Sequence, residues 1–218
     1  MSGTPALCHV FVFTEPGAPE RAALEAAGLR ESYRRAHPGQ GTANVCYCLD
    51  NAYLELLWVE DAGDLASAPI ARTRLAERSR WRETGASPFG LSLRGAMPFD
   101  AWEFRPPYLP PGMAIPVALS SEDPRLPFLF RSPGDARPDA WTDGRAGDRQ
   151  RAAGLAEIAG VRLEFPAGVE PGPDWRALEA SGLLVLGRGP APRLELTLSR
   201  RDGGRPWRLS LPDFTLER

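Results

Sequence analysis

Apolar positions in the first sixty residues come in short β-branched and aromatic runs broken by Gly, Pro and Asn, the pattern of a sheet with tight connections. Residues 7–13 (LCHVFVF) predict a strand that ends at Thr14-Glu15-Pro16-Gly17. Residues 19–27 have a helix-forming composition, with Pro19 in the first turn and Gly28 as the C-terminal stop. Strands are predicted over 30–35, 44–49 and 52–59 (AYLELLWV), with a turn over 37–42 between the first two. Further on, 65–81 reads as an Arg-rich helix, 89–94 as a strand, 98–104 as one or two helical turns, and 115–119 and 126–131 as short strands. The proline-rich stretch 105–111 suits an edge or an extended loop. Residues 132–150 are dense in Gly, Pro, Asp and Arg and read as a linker.

The last third echoes the first. Ala177-Leu178-Glu179-Ala180-Ser181-Gly182-Leu183 matches Ala23-Leu24-Glu25-Ala26-Ala27-Gly28-Leu29 with one Ala/Ser difference. Glu170-Pro171-Gly172 echoes Glu15-Pro16-Gly17 upstream, and Leu194-Glu195-Leu196 echoes Leu54-Glu55-Leu56 downstream. Three matches in the same order point to a duplicated βαβββ unit. The expected division is 5–131 as paired modules, 132–154 as linker and 155–218 as a C-terminal module repeating the first.

Composition removes several chemistries. All 26 basic residues are Arg, so Schiff-base chemistry, a Lys-anchored pyridoxal cofactor and a P-loop are excluded. The formal net charge of −2 gives no electrostatic case for nucleic acid or an anionic membrane surface. No apolar run approaches the roughly 20 residues that span a bilayer, and the N-terminus lacks a secretory signal. Cys8, Cys46 and Cys48 are odd in number and lack C-x-x-C spacing, as expected of buried thiols in a reducing cytoplasm.

Two polar groups stand out on otherwise apolar strand faces. His9 shares its face with Phe11 and Phe13, and Glu55 shares one with Tyr53, Leu57 and Val59. Burying a carboxylate among apolar neighbours costs several kcal/mol, as an order of magnitude, unless a cation or donor offsets it. A neutral imidazole with a carboxylate is a start for a divalent metal, Zn, Fe, Mn or Ni; the alternative is an ordinary core His and a solvated Glu. His37, in the loop with Gly39 and Gly41, reads either as a general base beside a closely approaching ligand or as an exposed residue of a hairpin turn. Asn44 offers hydrogen bonds into a pocket. Trp102, Arg105 and Tyr108 suit a planar or anionic ligand, although Arg beside aromatics also arises by chance. A Ser-His-Asp hydrolase fits poorly without G-x-S-x-G.

The βαβββ order, His9 on the first strand, the H-P-G-Q-G-T-A-N run from His37 to Asn44, and Y-L-E-L-L from Tyr53 to Leu57 resemble the glyoxalase-like domains of the vicinal-oxygen-chelate superfamily. That resemblance implies an α+β fold in which repeated βαβββ modules with mixed sheets curl around a pocket. It also implies a divalent metal held by first- and last-strand residues and chelated by adjacent substrate oxygens. His9 and Glu55 fall on the ligand positions of the first module. In the second, Pro88 stands where His or Gln is expected, and Phe128 and Leu129 where Glu is expected. A third ligand would come from His37 or Glu195, and Ser92 shares the parity of a family ligand position. Two readings remain open. One is a metal-dependent isomerase, epimerase, lyase or oxygenase acting on a small oxygenated metabolite, with His37 and Glu55 as catalytic groups. The other is a non-catalytic small-molecule binder of the bleomycin-resistance type. A homodimer is compatible with either.

Overall fold

The computed structural model describes residues 4–218. The predicted alternation at the N-terminus becomes β1 (Ala6–Phe13), α1 (Arg21–Ala26), β2 (Tyr33–His37), β3 (Thr42–Cys48) and β4 (Tyr53–Val59). Gly28, at φ +92°, ends α1 as its position predicted. The second strand sits further along than 30–35 because it follows the register of β3, where Tyr33 faces Cys46 and His37 faces Thr42.

The stretch read as one Arg-rich helix is four short ones: α2 (Ala62–Leu65), α3 (Ala68–Ala71), α4 (Leu75–Ser79) and α5 (Trp81–Thr84). Asp61 caps α2 through the backbone N–H groups of Gly63 and Asp64, Pro69 opens α3, and Arg74 adopts a left-handed conformation at φ 57° before α4. Each break restarts the helix, and residue composition alone does not show it. β5 (Phe89–Arg94) follows, then β6 (Ala101–Phe104), β7 (Ile115–Ala118) and β8 (Phe128–Arg131). The expected helical turns over 98–104 are therefore a strand. Pairing with β7 and burial of Phe104 override the Pro98 signal.

These strands form one open sheet ordered β2-β3-β4-β1-β5-β8-β7-β6. β1 runs parallel to β4, β5 runs parallel to β8, and β1 meets β5 antiparallel at the centre. The sheet is thus two similar halves joined back to back. The second half has no helix between its first two strands, and Phe99 packs there against the core instead. Both faces of β1 are covered, which accounts for its continuous apolar run. Val10 and Val12 enter the larger core, which continues into the C-terminal unit, while Phe11 and Phe13 enter a second cluster beneath α2, α3 and α4.

The C-terminal unit comprises β9 (Leu155–Phe165), α6 (Pro173–Ala180), β10 (Val185–Arg188), β11 (Arg193–Arg200), β12 (Trp207–Leu211) and β13 (Thr215–Glu217). The strand-helix-strand order echoes the first unit, but the wiring differs. The sheet order is β10-β9-β11-β12-β13, with β9 parallel to β10, whereas β1 never pairs with β2. Both sheets are mixed.

The residues between the sheets are packed against both. The Gln150 side chain exchanges two hydrogen bonds with the Arg30 backbone, each 2.8 Å, and is almost fully buried. Asp50 holds Arg149 at 2.9 Å and Arg201 at 2.8 Å, and the Asn51 amide bridges the Ile158 backbone in both directions. No helix among the described residues is long and apolar enough to cross a membrane.

Candidate functional site

Odd positions of β1 and β4, with Asn44 on β3 and alternate residues of β2, project from one face of the large sheet, and that face curls around a cavity of about 290 Å³. Registry fixes the neighbours: His9 lies opposite Tyr53, Phe11 opposite Glu55, and Arg35 opposite Asn44. His9, Glu55, Asn44, His37 and Tyr108 all line the cavity.

The imidazole Nε2 of His9 is 3.4 Å from Glu55 Oε2, and the Asn44 amide donates to Glu55 Oε1 at 2.6 Å. His9 is stacked on Tyr53 with ring centres 4.4 Å apart, and its Nδ1 is 3.4 Å from Cys8 Sγ. Both residues of the pair are buried. Burial pushes the Glu55 carboxyl up to about 7, with the Asn44 hydrogen bond and Arg35 opposing the shift. Burial, aided by the charges of Arg94 and His37, pulls His9 down to about 3. The distance alone describes an ion pair, but at neutral pH the imidazole is uncharged. The pair is a carboxyl raised to about 7 beside an imidazole lowered to about 3.

His37 is buried as well, contrary to an exposed hairpin residue. Its Nδ1 is 2.9 Å from the Thr42 hydroxyl, which also accepts from the Gln40 amide at 2.8 Å, and its ring lies 4.7 Å from Tyr108. With Gln40 donating to the hydroxyl oxygen, the Thr42 proton is available to His37 Nδ1. Burial and then Arg35 hold His37 down at about 4, so it too is neutral. The glycines of this loop serve a protein contact. A Cβ on Gly41 would meet Asp61 O at 2.2 Å, and one on Gly39 would meet the Pro107 ring at 2.7 Å. The close approach expected of a ligand is made by the start of α2 and by the loop after β6.

Four sequence-predicted positions lie outside the cavity. Glu195 is on β11 of the second sheet, opposite Arg162 and Ser210. Arg105 is exposed and paired with Glu103. Trp102 is half-buried under Arg72, whose guanidinium is 4.4 Å from its ring. Ser92 lies opposite His9 in register but is fully buried and does not reach the cavity. Their parity or neighbours matched the site, but tertiary position separates them from it.

Sequence reasoning missed the aromatic enclosure. Tyr33, Tyr53 and Trp141 meet edge to face with centroids 6.1, 6.2 and 5.8 Å apart. Phe128 and Phe130 face them from β8, and Phe130 sits edge-on to His9 at 5.3 Å. Tyr33 and Tyr53 were readable from the alternation of β2 and β4. Trp141 lies in the stretch read as linker, where nothing marks it.

The donor set is too small for a metal centre of its own. His9 and Glu55 can touch a common ion, but one Glu55 oxygen is held by Asn44, and the opposite wall is Phe128 and Phe130. No group of three or more His, Cys, Asp and Glu forms among the described residues, whereas a catalytic divalent ion ordinarily takes three protein ligands.

Residues 7–103 match the family described as a glyoxalase-like domain. No curated protein matches the chain. Solved structures that match include a hypothetical protein from Staphylococcus aureus, 11% identical with a TM-score of 0.49, covering 86% of this chain and 88% of that one. Another is methylmalonyl-CoA epimerase in complex with methylmalonyl-CoA and NH4+, 11% identical with a TM-score of 0.41, covering 62% of this chain and 100% of that one.

Proposed function

We propose, from the match of residues 7–103 to the glyoxalase-like domain family and from the geometry of the cup, that the cup binds a small oxygenated organic molecule on which Glu55, paired with His9, moves a proton. The observation that carries this reading is the state of Glu55. A buried carboxyl near its midpoint at neutral pH, touched by a neutral imidazole and oriented by Asn44, suits general acid-base catalysis. The corresponding reaction class is proton abstraction beside a carbonyl, as in an isomerisation or epimerisation. In this reading 5–131 builds the cup, 132–154 roofs it and 155–218 buttresses it.

Within the cup, Asn44 fixes one Glu55 oxygen and leaves the other toward His9, so the proton enters and leaves at Oε2. His9 Nε2 is the neighbouring acceptor, kept neutral by burial and kept in plane by Tyr53. His37, tied to Thr42, supplies a second neutral imidazole at the far side of Tyr108.

The test is exchange of α-protons of small 2-oxo and 2-hydroxy carbonyl compounds in D2O, followed by proton NMR. Exchange promoted by the wild type should fall on the order of 10²–10⁴-fold in Glu55→Gln. Exchange that persists in that variant would remove the role of Glu55. The aromatic wall favours a second reading, sequestration without chemistry, which tight binding without exchange would establish. One-to-one uptake of Zn2+ or Mn2+, lost in both His9→Ala and Glu55→Ala, would replace proton transfer by a metal-dependent site.

A further inference from the structure

We infer that the ligand of the cup is an aromatic carboxylate whose carboxylate is taken by Arg35 at the mouth. The inference rests on the small-molecule reading above but not on proton transfer.

Charge gives the first half of the argument. Most exposed arginines here are held by carboxylates: Arg34 by Glu31 at 2.7 Å, Arg72 by Glu122 at 2.6 Å, Arg82 by Glu15 at 3.2 Å. Arg35 lines the cavity and pairs with no carboxylate among the described residues; its guanidinium is 6.0 Å from the centre of the Tyr108 ring. Within the cup burial has the largest influence on the pKa values of Glu55, Tyr108 and His37, and the charge of Arg35 lowers all three, opposing burial at the first two and adding to it at His37. At the other lip Arg145 lies 4.0 Å from the Trp141 ring, in a 3.3 Å contact with exposed Asp143. Against these two guanidinium groups the cavity wall carries a single acid, Glu55. A mouth with an unpaired guanidinium favours an anion. The planar fork of one Arg matches a carboxylate in bidentate fashion, whereas the glycines of the His37 loop pack against Pro107 and Asp61 and the Gly39 N–H is taken by Asp64, so that loop does not cradle a phosphate.

Shape gives the second half. Between the Tyr33, Tyr53 and Trp141 cluster and the Phe128 and Phe130 wall, the lining is aromatic on two sides. Flat rings pack in such a slot by offset and edge-to-face contacts that a saturated ring of the same size does not reproduce. The strand register puts Arg35 at one end of this slot, opposite Asn44, and Asn44 leads to Glu55. A ligand with its acid toward Arg35 therefore presents its far end to the Asn44-Glu55-His9 group.

Calorimetric titration of the full chain at pH 8 with 4-hydroxybenzoate, 4-hydroxybenzamide and 4-hydroxycyclohexanecarboxylate tests both halves. The acid should bind on the order of tenfold more tightly than its amide, and Arg35→Gln should erase that difference. The aromatic acid should also bind several-fold more tightly than the saturated one. Equal binding of acid and amide, or a preference that survives in Arg35→Gln, overturns the role of Arg35. Equal binding of the two acids overturns the aromatic assignment, and no binding of any of the three overturns the inference altogether. Binding with this pattern but no α-proton exchange would leave the inference standing and remove the catalytic reading. Arg35 is exposed, so the variant's fold is not at stake, and circular dichroism checks it.

Discussion

The two halves of the large sheet share one strand order and differ in what they aim into the cup. In the first half the inward positions of β1 to β4 carry His9, Asn44 and Glu55 beside Tyr33 and Tyr53. In the second half the inward positions of β6 to β8 carry Phe104, Ile115, Phe128 and Phe130. The backbone is indifferent to this choice, because every alternate residue on a strand can be exchanged without disturbing the ladder. One half of a common scaffold therefore holds the polar chemistry, and the other supplies the dry surface that raises the Glu55 carboxyl. Removing water from one side of a carboxyl is what desolvation requires, so under the proposed function the apolar half would act on Glu55 as well as on the ligand.

The largest expected effect comes from the clamp on the second half. The fully buried Arg78 guanidinium donates to the carbonyls of Ser121, Asp123, Pro124 and Leu126, tying α4 to the connection between β7 and β8. Arg78→Met leaves those carbonyls without their donor and should cost about 4 kcal/mol in a urea melt, since each buried orphan costs about 1–3 kcal/mol. A loss below about 1 kcal/mol would mean that the second half holds together without the clamp.

The pH dependence of stability probes the first half. His9 and His37 have lowered values in the fold, so below pH 6.5 the unfolded chain binds protons that the native chain refuses, and stability falls as the pH drops. Glu55 has a raised value, so the native chain retains a proton between pH 4.5 and 7 that the unfolded chain releases, and stability falls as the pH rises through that window. Two histidines against one carboxyl leave a net slope of about one proton, roughly 1.4 kcal/mol per pH unit, between pH 6.5 and 4.5. Denaturation midpoints across that range should show it. His9→Gln should flatten the slope and Glu55→Gln should double it; an unchanged slope in both would show that neither group is shifted.

A smaller effect separates the aromatic wall from simple packing. Phe128→Leu should cost about 1 kcal/mol of stability, as volume-similar apolar exchanges do. It should also lower affinity for a planar ligand more than for a saturated one. A uniform loss for both ligands would reduce the wall to filler.

Much of the first half was legible because its chemistry lies on regular alternation. Residues 7–13 and 52–59 announced their strands, and the same parity put His9 and Glu55 on inward faces. Phe89–Arg94 was likewise readable from end to end. What was not legible depended on contacts distant in sequence. Trp102, Arg105 and Ser92 have the right types near the right strands, yet pairing with β7, the Glu103 ion pair and burial take them elsewhere. Glu195 followed from a local echo, and β11 belongs to a sheet with different neighbours. The segment around Trp141 has a linker's composition because turns and linkers draw on the same residues. Contacts such as the hydrogen bonds of Gln150, the ion pairs of Asp50 and the packing of Trp141 on Tyr33 distinguish them here.

The wall formed by that segment sets how the molecule can be dissected. The glyoxalase-like match ends at residue 103, within β6, and a cut after β8 would remove Trp141 and Arg145 from the rim. Fragments trimmed at either point would keep the His9-Glu55 pair but open it to water. The carboxyl would then return toward ordinary acidity, so a piece that behaves like the whole must keep Gln150 with its anchor on Arg30 and the C-terminal sheet that completes the larger core.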